Sequence, residues 1–401
     1  MLTLDEAKAR VLSGVHRLSS ERVALAEGLD RVLAEPVVAR SALPPFDHSA
    51  MDGYAVATRD LEGPSPWELP VCGESSAGSV APALAASSAS RIFTGAPLPA
   101  GADAVVAQEN VERDRNTVRL HSRPKVGEHV RKTGHDLPAG ALALAAGARL
   151  NPGALALAAM LDEAELVVAR RPRVTILCTG NELRAVGGRA HAGSIPESNA
   201  VALAALARQG GAASVITPIV RDDVEQATEA IQQALDSSDL LLTVGGVSVG
   251  DHDVVRPALE RAGVTLDFWK VAIKPGKPIA FGRYGRGSRV LGLPGNPASA
   301  LVTFALFGVP LLRAMQGDER PSPMPLCAHL AAARKRSVDR IELLRAELRR
   351  ENAVLVVFPH DNQASGAATS LAKSDGVAVI APGEGLIEAG APVDFIRWAD
   401  V

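Results

Sequence analysis

The chain of 401 residues has only three cysteines, Cys72, Cys178 and Cys327, each more than a hundred residues from the next. No CxxC pair exists, which excludes a thiolate zinc site and a disulfide framework and makes a reducing compartment, the cytoplasm, the expected location. Aromatics are as scarce: 8 Phe, 3 Trp and 2 Tyr cannot supply the stacking platforms that single-stranded nucleic acid requires. Charge of one sign is missing too. With 42 Lys+Arg against 45 Asp+Glu there is no electrostatic footprint for DNA or RNA, and no nucleic-acid partner is expected. Long apolar runs are absent: the most apolar stretch, 140–161, is broken by Arg149, Asn151 and Pro152, which argues against a membrane span. Asp5 and Glu6 stand where a signal peptide needs basic residues. What the chain does have is apolar mass. Hydrophobic residues make up 47% and charged ones 22%, enough for several packed cores and for two to four domains at roughly 150 residues each.

Residues 3–35 carry helical spacing (Leu4, Ala7, Val11, Leu12, Val15) and predict a helical segment. From the Pro-rich stretch around Pro44 to about Arg131 the text is short and β-like between Gly and Pro turns, predicting a small β domain. Asn151-Pro152 is a cap followed by a first-turn proline, so a helix is expected from there to about Asp162, packing against the amino-terminal one. Residues 172–317 alternate strands with helices, the pattern of a doubly wound, mainly parallel α/β sheet. After about Asp318 short strands return and predict a C-terminal β barrel or sandwich.

Ligands of open α/β sheets sit beyond the carboxyl ends of the strands. The text there is polar and glycine-rich: Thr179-Gly-Asn-Glu182, Arg221-Asp222-Asp223, the run 245–253, and Pro294-Gly-Asn296-Pro297. Gly245, Gly246, Ser248 and Gly250 expose backbone N–H groups before a helix, which suits an oxyanion, although an ordinary strand-to-helix turn reads the same way. Glu182, Asp222, Asp251 and Asp253 supply hard oxygen ligands of the kind Mg²⁺ takes alongside substrate phosphates. Asp222 serves equally as a helix cap. Of the 42 basic residues only eight are lysine, yet Lys270, Lys274 and Lys277 fall in one octapeptide, where compact ammonium groups suit an oxyanion better than the planar fork of arginine. A solvated basic loop is the plain alternative. Finally, Asp47, His48, Ser49 and Asp52 crowd into a segment just after two prolines, with no sign of a nucleophile elbow.

Taken together, Pro45-Phe-Asp-His-Ser-Ala-Met-Asp52-Gly-Tyr, Thr94-Gly-Ala-Pro97, Thr179-Gly-Asn-Glu182, the Gly245 run, Lys270-Val-Ala-Ile-Lys274-Pro-Gly-Lys277-Pro and Gly292-Leu-Pro-Gly-Asn-Pro297 resemble the molybdopterin molybdenumtransferase (MoeA) family and the E domain of gephyrin. The order and spacing of these motifs hold over nearly the whole chain, more loosely after about residue 320. The resemblance implies an elongated helical domain (1–40 with 134–168), an inserted β domain (41–133), an α/β molybdopterin-binding domain (169–317), a C-terminal β barrel (318–401), and a homodimer. It implies insertion of molybdate into adenylylated molybdopterin with Mg²⁺-dependent release of AMP. Asp52, Thr94, Glu182, Asp222 and Asp253 would be catalytic. The Gly245 run, the three lysines, Pro294, Asn296, Pro297 and Asp136 would hold substrate, and Glu182, Asp251 and Asp253 the metal. A molybdopterin adenylyltransferase upstream and recipient molybdoenzymes downstream become the expected partners. His48 stands where the family commonly has Asn, and Glu197 where it has Asp. The alternatives are an adenylyltransferase, for which the α/β domain alone would suffice, and a gephyrin-like scaffold, for which an additional α/β domain and a Ser/Pro linker would be expected.

Overall fold

The computed structural model describes residues 1–246, 254–285 and 287–401. Its centre is a six-stranded sheet in the spatial order Ala213–Ile216, Arg173–Cys178, Leu240–Val244, Ser288–Leu293, Ala280–Tyr284, Thr265–Phe268. The first four strands run parallel, Ala280–Tyr284 runs against them, and Thr265–Phe268, antiparallel to Ala280–Tyr284, returns to the first direction. Alternation sorts their side chains. Val174, Ile176, Cys178, Leu240, Leu242 and Val244 enter one core, while Leu177 and Leu241 enter the other. Helices Asn199–Gln209 and Pro297–Thr303 cover the first face, and Val224–Ser237 and Val255–Arg261 the second. The sheet is therefore doubly wound, as the alternating text predicts.

The chain leaves Arg173–Cys178 for the edge strand Ala213–Ile216, then crosses back to pair Leu240–Val244 on the other side of Arg173–Cys178. Strand order reverses between those two central strands, and this opens a crevice beyond their carboxyl ends. The helix opening at Pro297 continues through a π turn, Phe304–Gly308, into Val309–Met315. Pro310 explains the turn: it has no N–H for the carbonyl four residues back, so the ladder has to loosen there. By length and composition Pro297–Met315 could cross a membrane, but it lies in the main core and acts as its central apolar rod.

The helical text of residues 3–35 is realised only over Leu4–Leu12. A capping box starts this helix, with Glu6 N–H donating to Thr3 Oγ1 at 3.2 Å and Thr3 N–H to Glu6 Oε2 at 2.8 Å. Gly14, at φ 61°, turns the chain out of it, and Ser20–Ala24 pairs antiparallel with Glu165–Ala169 instead. The expected helix at Asn151-Pro152 forms, Pro152–Met160, with Asn151 Oδ1 accepting from Ala154 N–H at 2.8 Å. The two helices do not pack together as anticipated. Leu4, Ala7 and Val11 join the core around the Pro297 helix, while Ala158 and Leu161 pack with Leu33, Val37 and Leu150. Spacing alone cannot choose between two apolar partners, and the larger α/β core takes the first helix.

Residues 53–120 form a second six-stranded sheet. Within it Gly53 lets two strands approach so closely that a Cβ would stand 2.0 Å from the Val106 carbonyl oxygen. Gly53→Ala is accordingly expected to lower stability by on the order of 3 kcal/mol, since backbone cannot rotate aside, and urea unfolding would register this as a lower midpoint. Near the carboxyl end, the strands Leu326–Leu330, Val354–Pro359, Ile341–Glu351, Gly376–Ile380 and Pro392–Arg397 pair in a ring that closes on itself, giving a five-stranded barrel. Ile273–Lys274 pairs in parallel with Ile341 and Glu342 and stitches this barrel to the α/β unit.

Candidate functional site

The crevice at the strand reversal is a cavity of about 560 Å³. Its floor is made by the carboxyl ends of the two central strands, Cys178-Thr179-Gly180 and Val244-Gly245-Gly246. Both glycines are required: Gly245 has φ 90° and a Cβ on it would stand 2.8 Å from Thr179 O, while one on Gly246 (φ 60°) would stand 2.4 Å from Val255 Cγ2. Bare backbone thereby faces the opening. One wall is Pro294-Gly295-Asn296-Pro297, where Asn296 takes the cap position and Pro297 the first helical position.

Glu182 and Asp222 bring two carboxylates into this cavity. Asp222 Oδ2 accepts from Asn181 N–H at 3.0 Å, and Asp222 N–H donates to Asn181 Oδ1 at 3.3 Å, so the two loops lock together. The helix cap is the neighbouring Asp223, whose Oδ1 accepts from Gln226 N–H at 2.8 Å; the capping role considered for Asp222 belongs to Asp223. Glu182 folds over Gly180, its Oε2 2.7 Å from where a Cβ would be; its backbone carbonyl accepts from Ile195 N–H at 2.8 Å, but its carboxylate makes no hydrogen bond or ion pair among the described residues. Both carboxylates line one cavity and neither is ion-paired among the described residues, so they could serve Mg²⁺, which commonly takes one or two carboxylates and leaves its other positions to water and phosphate. Ser248, Gly250, Asp251 and Asp253 lie outside the described residues.

Two site residues escaped the sequence reading. Thr179 Oγ1 and Asn199 Oδ1 are buried, line the cavity and have no hydrogen-bond partner among the described residues. Buried polar atoms ordinarily find partners, so these two mark where a ligand's donors would sit. Thr179 stands inside a motif already noted and Asn199 follows Pro196-Glu-Ser, but neither type is charged, and sequence alone gives no signal of an orphaned atom. Asn199 Nδ2 also donates to Gly295 O at 2.7 Å and ties two walls together. Glu197, buried beside it, accepts from the N–H groups of Asn199 (2.6 Å) and Ala200 (3.0 Å) and so serves the start of the Asn199–Gln209 helix.

Cys178 on the floor is a neutral thiol. Burial pushes its pKa up, and the nearby Glu197 carboxylate pushes it further in the same direction. Native protein at pH 8 is therefore expected to react with a thiol reagent at exposed Cys72 and Cys327 but not at Cys178, which should appear only in denaturant. Peptide mass spectrometry of the labelled protein checks this.

The remaining sequence candidates lie elsewhere. Asp52 and Thr94, from separate motifs, do meet: Asp52 Oδ1 accepts from Thr94 N–H at 2.7 Å and from Thr94 Oγ1 at 2.8 Å. Those bonds hold the exposed Asp52 carboxyl below the usual carboxylate range. Asp47 is fixed likewise by Lys132 Nζ (2.7 Å) and by Thr133 N–H (2.8 Å). Neither Asp52 nor Thr94 lines the cavity, and nor does Asp136, which is exposed. Lys270, Lys274 and Lys277 are exposed and do not line the cavity, although Pro278, the residue after Lys277, does, and Lys274 Nζ is paired with Glu342 Oε1 of the barrel at 3.0 Å.

Comparison with known proteins agrees along the whole chain. Residues 2–161 match the MoeA N-terminal region (domain I and II), 175–314 a probable molybdopterin binding domain, and 328–398 the MoeA C-terminal region (domain IV). The molybdopterin molybdenumtransferase of Haemophilus influenzae is 37% identical over 349 residues, covering 86% of this chain and 85% of that one. That of Bacillus subtilis is 32% identical and covers 98% and 94%. A crystal structure of the molybdopterin biosynthesis MoeA protein of Pyrococcus horikoshii superposes with a TM-score of 0.86 at 27% identity, over 99% of this chain and 100% of that one.

Proposed function

Since the chain belongs to the MoeA family of molybdopterin molybdenumtransferases, we propose that it inserts molybdate into adenylylated molybdopterin, releasing AMP and leaving molybdenum on the dithiolene. The observation that carries this reading is the cavity at the strand reversal, which joins bare glycine backbone, two carboxylates not ion-paired among the described residues and two orphaned buried polar atoms. A pterin nucleotide offers complementary groups: a phosphate oxygen for the N–H of Gly246, that of Gly245 being donated to Leu293 O at 3.1 Å, and ring donors for Thr179 Oγ1 and Asn199 Oδ1.

Breaking the pyrophosphate link bonds an attacking oxygen, from water or molybdate, to phosphorus while the bridging oxygen departs with its electron pair. Negative charge develops on the departing oxygen, and the site has to meet it. Glu182 and Asp222 would hold Mg²⁺ here, which when bound supplies positive charge beside the phosphates. The exposed ammonium groups of Lys270 and Lys277 would take molybdate or the terminal phosphate, and Lys274 would exchange Glu342 for an oxyanion. No covalent protein intermediate is needed. The enzyme would work in the cytoplasm as a homodimer, receive substrate from the adenylyltransferase and pass product to recipient molybdoenzymes.

Supplying purified protein with adenylylated molybdopterin and molybdate should yield AMP and active cofactor, whereas molybdopterin with ATP should yield nothing. Turnover of the second pair alone would assign the preceding adenylyl transfer, and turnover of neither would favour the scaffold reading.

A further inference from the structure

A second cavity, of about 420 Å³, opens at the amino-terminal end of the central sheet, opposite the site above. It is cationic. Arg17, Arg170, Arg173 and Arg289 line it, with Asp236 and Asp239 the acids among the described lining residues. Asp239 is already saturated: it accepts from Arg170 Nη1 and Nη2 at 2.7 and 2.8 Å and from Arg173 N–H at 2.7 Å. Arg170 is thereby neutralised, while the Arg173 side chain stays 3.8 Å from the same carboxylate, beyond hydrogen-bond range.

Arg289 is the telling residue. Only 5% exposed, it donates from Nη2 to the Gly14 carbonyl, and its Nε finds no partner among the described residues. A buried guanidinium with an idle N–H and no counter-ion among the described residues is costly. Water could satisfy the N–H but not the charge. A tetrahedral oxyanion does both, and guanidinium groups match its geometry better than ammonium groups do.

We propose that this cavity is an anion site separate from the catalytic one, taking a phosphate-class oxyanion between Arg289 at its base and Arg17 and Arg173 at its mouth. Arg17 and Arg173 are exposed, so both can be changed without disturbing a core. Equilibrium dialysis of the full chain against inorganic phosphate, at fixed ionic strength, should show the Arg17→Gln/Arg173→Gln protein binding one phosphate fewer per chain than wild type. Phosphate held in the catalytic cavity is counted in both proteins and cancels. The variant should keep wild-type AMP release, which separates this proposal from the catalytic reading. In unsubstituted protein, phosphate at ten times its dissociation constant should slow phenylglyoxal modification of Arg17 and Arg173 by about tenfold. Equal stoichiometry in the two proteins, or modification rates indifferent to phosphate, would overturn the proposal.

Discussion

Mixing an Asp52→Ala chain with a Glu182→Ala chain is expected to restore about a quarter of wild-type AMP release although each variant alone is inactive, because in the proposed homodimer with shared sites random exchange makes half the dimers mixed and each keeps one of two sites. The reasoning starts from what one chain lacks. Asp52 is locked by two bonds from Thr94, an arrangement that keeps a carboxylate ionised and aimed, yet it stands in a β module none of whose residues lines the cavity that holds Glu182. A fixed, exposed carboxylate with no local task fits a site completed by a second subunit. Native mass spectrometry would confirm the heterodimers. Mixed dimers without recovered turnover would place both acids in one subunit's site and defeat the shared arrangement.

How much of this was legible follows from the range of the forces involved. The strands Arg173–Cys178 and Leu240–Val244 fall where their apolar runs do, since a strand buried on both faces has to be apolar throughout. The motif glycines were legible because backbone conformation is local: Gly245 and Gly246 need positive φ wherever the rest of the chain lies. The amino-terminal helix was legible only to Leu12. Beyond it, the pairing of Ser20–Ala24 with a strand more than a hundred residues away outweighs local spacing. Thr179 and Asn199 stayed hidden for a similar reason, because an orphaned polar atom is defined by what surrounds it. The cluster of three lysines reads as one oxyanion grip in sequence, but the Glu342 partner of Lys274 comes from the barrel, and a contact across 68 residues leaves no local trace.

The isosteric change Glu182→Gln is expected to lower AMP release on the order of 10²–10³-fold with the fold intact, the usual cost of removing one charge-stabilising group from a preorganised site. Glu182 makes no ion pair that would collapse on neutralisation, and Gln keeps the shape that covers Gly180, so a loss of activity reports on charge alone. Excess EDTA should bring wild type down to a similar level, and added Mg²⁺ should restore wild type but not the variant, because the carboxylate that would retain the metal is gone. Asp222 predicts a smaller fall. Its Oδ2 is already engaged by Asn181 N–H, so less of its charge is available to a cation, and Asp222→Asn should keep a larger share of turnover than Glu182→Gln. A circular dichroism spectrum unchanged in both variants would show that chemistry rather than folding was lost. Full AMP release in excess chelator would remove metal from the mechanism and leave the carboxylates as positioning groups for the attacking oxygen.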